Sequence, residues 1–251
     1  MSSIDDLRHR IAMIERPTAR HTDVLPFGVP EIDSHLPEKG LLRGALHEVG
    51  GGGPDAVPAA AAALFTAGIL ARLSGQVVWC ATTPDLFAPG LACAGLAPDR
   101  LIHAASPDEK TVLLVMEEAL RHPGLAAVVG ELVRLPMTAS RRLVLAAEKS
   151  GVMALALRRQ KHSKAGEDRM EDEAVNAACT RWRITPLPSP PLPVPGLGPA
   201  RWQIDLTRCR GGQPATWIME ACDAQGHLAV PAELAYGQDQ KTRYRAPRYV
   251  A

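Results

Sequence analysis

The sequence predicts an α/β fold whose mostly parallel central sheet is covered by helices on both faces and is followed by antiparallel strands. All-apolar strand segments alternate with helical segments between residues 44 and 157, as expected of strands buried on both faces of a sheet. In three segments after residue 179 polar and apolar residues alternate, which is typical of half-buried antiparallel strands. With 46% apolar but only 4% aromatic residues, the core is expected to be aliphatic.

The predicted elements follow one another in a regular order. A strand at 44–49 is expected to stop at a run of four glycines, and an alanine-rich helix follows at 54–73. Further buried strands are expected at 76–81, 101–104, 126–132 and 152–157. The intervening helices are expected at 85–94, 108–121 and 138–149. The three antiparallel strands are expected at 180–185, 201–208 and 216–221.

One domain is predicted over residues 25–235, with an appendage at each end. Residues 1–24 are predicted to form an N-terminal helix and linker, because apolar residues recur there at helical spacing: Ile4, Leu7, Ile11 and Ile14. Residues 186–199 are predicted to be a proline-rich insertion, since such a run is extended and does not pair inside a sheet. Residues 236–251 are predicted to be a flexible basic tail.

Charge and cysteine content exclude several classes of protein. The chain has 28 Lys and Arg against 27 Asp and Glu, so no global field draws it to nucleic acid or to an anionic membrane. Five cysteines without metal-ligand spacing predict reduced thiols and no metal site. The most apolar stretch, 56–71, is shorter than the roughly 20 residues that a membrane span needs. We therefore expect a cytoplasmic protein with no cofactor and no membrane contact.

Four consecutive glycines lie between a predicted strand and a predicted helix, where a phosphate-binding loop is found. They are Gly50, Gly51, Gly52 and Gly53. A working loop also needs a lysine for the terminal phosphates and a Ser or Thr hydroxyl for magnesium. No Lys, Ser or Thr occurs between Gly50 and Phe65. We interpret the glycines as a degenerate phosphate loop and expect no ATPase activity.

Two single residues are candidates for chemistry. His47 lies near a predicted strand end, where we expect a hydrogen-bonded structural residue rather than a catalytic base. Glu131 ends a buried strand, at the sheet edge where open α/β folds bind ligands. No partner for Glu131 is evident from the sequence, so a remnant of a lost site or a structural cap is favoured, with a metal-adjacent carboxylate as the alternative.

Two basic segments are candidates for binding. The first is a predicted loop over 158–176, whose cations are followed at once by five acidic residues. A solvated loop is favoured there, and DNA contact is the alternative. The candidate contact residues are Arg158, Arg159, Gln160, Lys161 and Lys164.

The second basic segment is the tail, which holds all three tyrosines of the chain among its arginines. Tyrosine and arginine are enriched at binding hot spots, and both stack on bases. We therefore predict a partner-binding role for Tyr236, Arg243, Tyr244, Arg245, Arg248 and Tyr249.

The order of motifs resembles that of a known family. The segment FGVPEIDSHLPEKGLLRGALHEVGG resembles the start of RecA-type recombinase cores, and VVWCATTPDL, AAVVGEL and VMALALRRQ follow in step. The likeness covers roughly residues 25 to 222 and is strongest to the ImuA subgroup, which is SulA-related. It implies a RecA-like core.

The resemblance also implies partners and a role. ImuA-type proteins act with ImuB, a Y-family-like polymerase homologue, and through it with an error-prone replicative-type DNA polymerase in the SOS response. DNA and RecA are further candidate partners. By the same resemblance, the 158–176 loop lies where recombinases place a DNA-binding loop, and Gln160 lies near their nucleotide-sensing glutamine.

The residues that a RecA-type ATPase needs are replaced in this sequence. Val57 and Pro58 stand in the neighbourhood of the Lys-Thr pair, and Glu131 follows a glycine in place of the strand-end aspartate. The leading hypothesis is a non-catalytic accessory factor that binds ImuB. The alternatives are a divergent RecA-like ATPase, with a side chain from elsewhere replacing the lysine, and a stand-alone DNA-binding module.

Overall fold

The structure is a computed structural model that describes residues 23–53, 56–159, 175–190, 196 and 198–231. The predicted N-terminal helix, most of the predicted 158–176 loop and the predicted basic tail lie outside these residues. Within the described residues, no helix is long and apolar enough to cross a membrane.

The described residues form an eight-stranded sheet with helices on both faces, which confirms the predicted α/β fold. The strands are β1 (Val24–Leu25), β2 (Leu41–Leu42), β3 (Leu46–Gly51), β4 (Gln76–Ala81), β5 (Leu101–Ala105), β6 (Leu125–Leu132), β7 (Met153–Arg158), β8 (Thr180–Leu187), β9 (Arg201–Cys209) and β10 (Ala215–Glu220). The helices are α1 (Pro30–Asp33), α2 (Ala56–Ala71), α3 (Ala88–Ala92), α4 (Glu109–Ala119) and α5 (Met137–Ser150).

The large sheet has the strand order β10-β9-β8-β3-β7-β6-β4-β5, and β1 pairs with β2 in a separate small sheet. Strands β8, β3, β7, β6, β4 and β5 are parallel to their neighbours within this group, whereas β9 and β10 are antiparallel. Strand β8 is antiparallel to β9, as predicted, and it also pairs parallel with β3 on its other side. Strand β7 ends at the carboxyl ends of the parallel strands, whereas β8 begins at their amino ends. Strand β8 therefore runs in the same direction as β3.

Two predicted strand ends differ from the structure. Strand β3 does not stop at Gly50, because Gly50 and Gly51 still pair with β8. Strand β8 extends through Pro186 into the predicted insertion. The Ile184 carbonyl points toward β3, because it accepts a hydrogen bond from Gly52. Backbone groups two residues apart in a strand point to the same side, so the nitrogen of Pro186 also points toward β3. Since β3 pairs with β8 only as far as Ile184, the missing N–H of Pro186 costs no hydrogen bond.

The two faces of the sheet have different cores. The face under α4 and α5 is aliphatic, as predicted, with Leu46, Val128 and Leu143 buried among sulfur-containing and alanine side chains. The face under α2 also buries aromatic side chains, among them two phenylalanines and three tryptophans. The rings of Phe27, Phe65 and Trp182 have centroids 5.3 Å to 5.9 Å apart, so the scarce aromatic side chains stabilise one cluster.

His47 is a buried, fully hydrogen-bonded residue of β3, as predicted. Its Nε2 lies 2.8 Å from the Leu42 carbonyl oxygen, and its Nδ1 lies 2.8 Å from the Thr180 hydroxyl. The Trp182 indole N–H donates to the same hydroxyl, which leaves the Thr180 proton for Nδ1. These contacts suit a neutral imidazole, and burial lowers the pKa of His47 to about 4.

Two glycines between β3 and α2 are required by close packing. A Cβ on Gly51 would lie 2.8 Å from the Pro58 carbonyl carbon, and one on Gly52 would lie 1.8 Å from the Thr185 hydroxyl oxygen. Gly53 has room, since the nearest atom to its Cβ position is Pro58 Cγ at 3.6 Å. The glycines therefore allow β3 to approach α2 and β8.

We predict that His47 makes stability depend on pH. Between pH 6.5 and pH 4 the unfolded chain binds a proton at His47 that the folded chain does not, so the free energy of unfolding falls as the pH falls. The loss is about 3 kcal/mol over this window, at 1.36 kcal/mol per pKa unit. His47→Gln keeps a donor for Leu42 and should lack this pH dependence in urea unfolding at pH 7.5 and 4.5. The exposed His122→Gln is the control, and equal pH dependence in both variants would contradict the prediction.

We predict that Gly51→Ala lowers the free energy of unfolding by about 1–3 kcal/mol, because the new methyl group meets the Pro58 backbone rather than a movable side chain. Gly53→Ala is the matched control and should change stability by less than about 0.5 kcal/mol. Chemical denaturation of both variants measures the difference. Similar losses at the two positions would show that packing against Pro58 does not set the requirement for glycine.

Candidate functional site

The carboxyl ends of the parallel strands border a pocket of about 610 Å³. We call it the alanine pocket, because one wall is the exposed start of α2: Ala56, Ala59, Ala60, Ala63 and Leu64. The opposite wall comes from α3 and the residues that flank it: Leu86, Phe87, Gly90, Leu91 and Cys93. The polar end is formed by Gly51, Gly53, Asp85, Glu131, Arg158 and Arg159. Ligands of open α/β sheets bind at this edge.

The first half of the predicted degenerate phosphate loop has an extended backbone. Gly50 and Gly51 belong to β3, and the Gly52 N–H donates to the Ile184 carbonyl of β8 at 2.8 Å. A phosphate cradle needs successive backbone N–H groups that point at the ligand. Here the amide of Gly52 is part of the sheet, and only Gly52 and Gly53 of the four glycines lie beyond the strand.

Glu131 is held at the polar end of the alanine pocket by two partners. The Trp79 indole N–H donates to its Oε1 at 2.8 Å, and Arg159 Nε lies 3.4 Å from its Oε2. Burial raises the pKa of Glu131, although the Trp79 hydrogen bond and the Arg159 charge act against that rise. The carboxylate therefore has the structural partners that the sequence did not reveal. Among the described residues, no three His, Cys, Asp or Glu side chains are placed to hold a metal ion.

Arg159 joins two loops across the pocket. Its guanidinium pairs with Asp85 as well as with Glu131. Asp85 follows β4 and Arg159 follows β7, so this ion pair connects the ends of two strands. The Arg159 and Asp85 side chains are 36% and 45% exposed, which limits the stability that the pair contributes.

Arg158 does not lie in a loop, and that part of the prediction was wrong. It is the last residue of β7, its side chain is 7% exposed, and its Nε lies 3.6 Å from the buried Glu48 carboxylate. A buried carboxylate requires cationic or hydrogen-bonding partners, which accounts for an arginine at this strand end. The candidate DNA-contact residues Gln160, Lys161 and Lys164 lie outside the described residues.

Sequence reasoning missed Asp85 as a site residue because it placed a helix start there. The helix α3 begins at Ala88, with Pro89 in its first turn. Proline favours the first turn of a helix, so Pro89 was the signal for the later start. The predicted tail residues, from Tyr236 to Tyr249, lie outside the described residues and remain a prediction.

Comparison with solved structures identifies the fold. The RadB recombinase matches with a TM-score of 0.53 over 82% of this chain and 99% of that chain. The two sequences are only 17% identical, so this likeness shows the RecA-like fold alone. No family model matches the chain.

Comparison with curated proteins identifies the family. Protein ImuA of Caulobacter vibrioides NA1000 is 42% identical over 226 residues, which cover 88% of this chain and 92% of that protein. Protein ImuA of strain CB 15 matches to the same extent. This chain therefore belongs to the ImuA family.

Proposed function

We propose that this chain is a non-catalytic RecA-like accessory factor of the SOS-induced, error-prone translesion DNA synthesis complex. It binds ImuB, a Y-family-like polymerase homologue, and helps to assemble or recruit the mutagenic polymerase. The partner-binding element is the tail with its tyrosines and arginines, residues 236–251.

The hydrogen bonding and packing of the backbone at the end of β3 support the non-catalytic part of the proposal. The Gly52 N–H is bonded to Ile184, and Gly51 is confined by Pro58. A nucleotide-binding loop at this place would need both residues to turn toward the phosphates. In addition, the start of α2 offers only apolar side chains, where a nucleotide site would need a lysine and a hydroxyl.

The state of the strand-end carboxylate supports the same reading. Glu131 accepts a hydrogen bond from Trp79 and pairs with Arg159, so both of its oxygens have protein partners. A carboxylate that serves magnesium or activates water keeps an oxygen directed at the metal or water. The partner role is supported by the membership of the ImuA family and by the resemblance described for the sequence.

Two of the candidate DNA-contact residues form ion pairs within the protein, which argues against the stand-alone DNA-binding alternative. Arg158 is buried against Glu48, and Arg159 is paired with Asp85 and Glu131. Phosphate contacts require exposed cations that can replace counterions. We therefore favour protein–protein contact over direct DNA binding.

We predict that the protein does not bind ATP. Titration with a fluorescent ATP analogue and magnesium should give no saturable signal below about 1 mM, an affinity of roughly 4 kcal/mol. A RecA-type recombinase measured under the same conditions is the positive control. Saturable binding in the micromolar range would overturn the non-catalytic assignment and favour the divergent ATPase.

We predict that the full chain co-purifies with ImuB from the same organism. Replacing Tyr236, Tyr244 and Tyr249 with Ala should weaken this binding at least roughly tenfold, since aromatic anchors dominate binding energy. The matched control replaces Gln238, Gln240 and Thr242 in the same segment with Ala. Failure of the wild-type chain to bind would contradict the partner assignment. Equal binding by all three chains would contradict the role of the tyrosines only.

A further inference from the structure

The alanine pocket leaves a large aromatic side chain in water. Phe87 lines the pocket and is 70% exposed, beside the half-buried Leu86 and the buried Leu91. The facing wall of α2 carries mostly methyl groups, so the pocket of about 610 Å³ has apolar walls on both sides. Apolar pockets of this size are typical sites for an apolar anchor.

The chain itself contains suitable anchors outside the described residues. All three of its tyrosines, Tyr236, Tyr244 and Tyr249, lie in the segment that follows Pro231. A tyrosine ring packed against Phe87 would gain an aromatic contact of about 0.5–1.5 kcal/mol beyond the area that it buries.

The described chain ends near the sheet edge that holds the pocket. Strand β10 runs in the same direction as β3, since β9 is antiparallel to both β8 and β10. Its last residue, Glu220, bridges to Ala229, which therefore lies at the same sheet edge as the pocket. Six strand spacings separate β10 from β4, the strand that Asp85 and Phe87 follow, about 29 Å. The thirteen residues from Pro231 to Tyr244 span about 43 Å when extended, so Tyr244 and Tyr249 are within reach of Phe87, whereas Tyr236 is not.

Charge favours the same segment. Residues 232–251 contain Lys241, Arg243, Arg245 and Arg248 against two acidic residues. At the polar end of the pocket, the Asp85 carboxylate pairs with Arg159 but is still 45% exposed. A carboxylate has about four acceptor sites, so an arginine next to a docked tyrosine can donate to it as well, and a charge-assisted hydrogen bond would add to the apolar contact.

We propose that the tail, residues 236–251, docks in the alanine pocket of the same chain, with a tyrosine ring between Phe87 and α2 and an arginine at Asp85. The pocket that holds nucleotide in RecA-type ATPases is then a binding site for the tail of this chain. Attachment to the core gives the tail a high effective concentration at the pocket, so weak contacts suffice.

Cys93 reports directly on this docking. It lines the pocket and is exposed, whereas the other four cysteines are buried or half-buried. Burial raises the pKa values of Cys80, Cys209 and Cys222 to about 12, so these thiols react slowly. A bulky maleimide should therefore label Cys93 first, and Cys93→Ser should remove the fast phase.

The test compares the labelling rate of Cys93 in three full-length chains without any partner. The chain with Tyr236→Ser, Tyr244→Ser and Tyr249→Ser should label roughly tenfold faster than the wild type, as expected if about nine in ten wild-type molecules have a docked tail. The matched chain with three Tyr→Phe changes keeps the rings and should label as slowly as the wild type. High salt should speed labelling of the wild type by weakening the contact at Asp85.

Equal rates for the wild type and the Tyr→Ser chain would overturn the proposal. Protection that appears only as the protein concentration rises would assign the pocket to the tail of a second copy, and would also overturn it. ImuB is absent from this measurement, so its outcome is independent of the outcome of the co-purification with ImuB.

Discussion

The centre of the fold depends on one buried carboxylate. Glu48 of β3 is 1% exposed, and it lies within 3.6 Å of Arg158 from β7 and within 2.9 Å of Arg181 from β8. Asn176, just before β8, donates to the same group at 2.7 Å. Removing one partner of such a buried pair typically costs about 3–5 kcal/mol, because a charge is left without compensation. Glu48 therefore links β3 to both of its neighbours, β7 and β8, and helps to set the position of β8 in the sheet.

The properties of the alanine pocket follow from that alignment. With β8 fixed beside β3, the ladder continues to Ile184 and takes up the Gly52 amide. The Gly52 amide is therefore not available to a phosphate group. At the same edge, Arg159 pairs with both Asp85 and Glu131, so strand ends that bind ligands in related folds are joined to one another.

The parts of the fold that were predictable are those encoded locally. Strands such as β4 and β6 are continuous apolar runs, and burial on both faces requires this pattern wherever the strand lies. Strand neighbours are not local information: the parallel pairing of β8 depends on where the chain re-enters the sheet. Likewise, the need for glycine at position 52 comes from Thr185, more than a hundred residues away, and the ion pair of Arg158 comes from Glu48. In the candidate site, Glu131 was predictable from its strand end, whereas Asp85 required the true start of α3.

The close approach of β3 to α2 and β8 has an evolutionary consequence. Placing Lys and Thr at positions 57 and 58 would supply the side chains of a phosphate loop, but Thr185 would still crowd position 52, and Ile184 would still hold its amide. Under the proposed non-catalytic role, a return to nucleotide binding would need changes in β3 and β8 as well as in α2. Under the same proposal, the residues around the pocket are free to evolve toward contacts with protein.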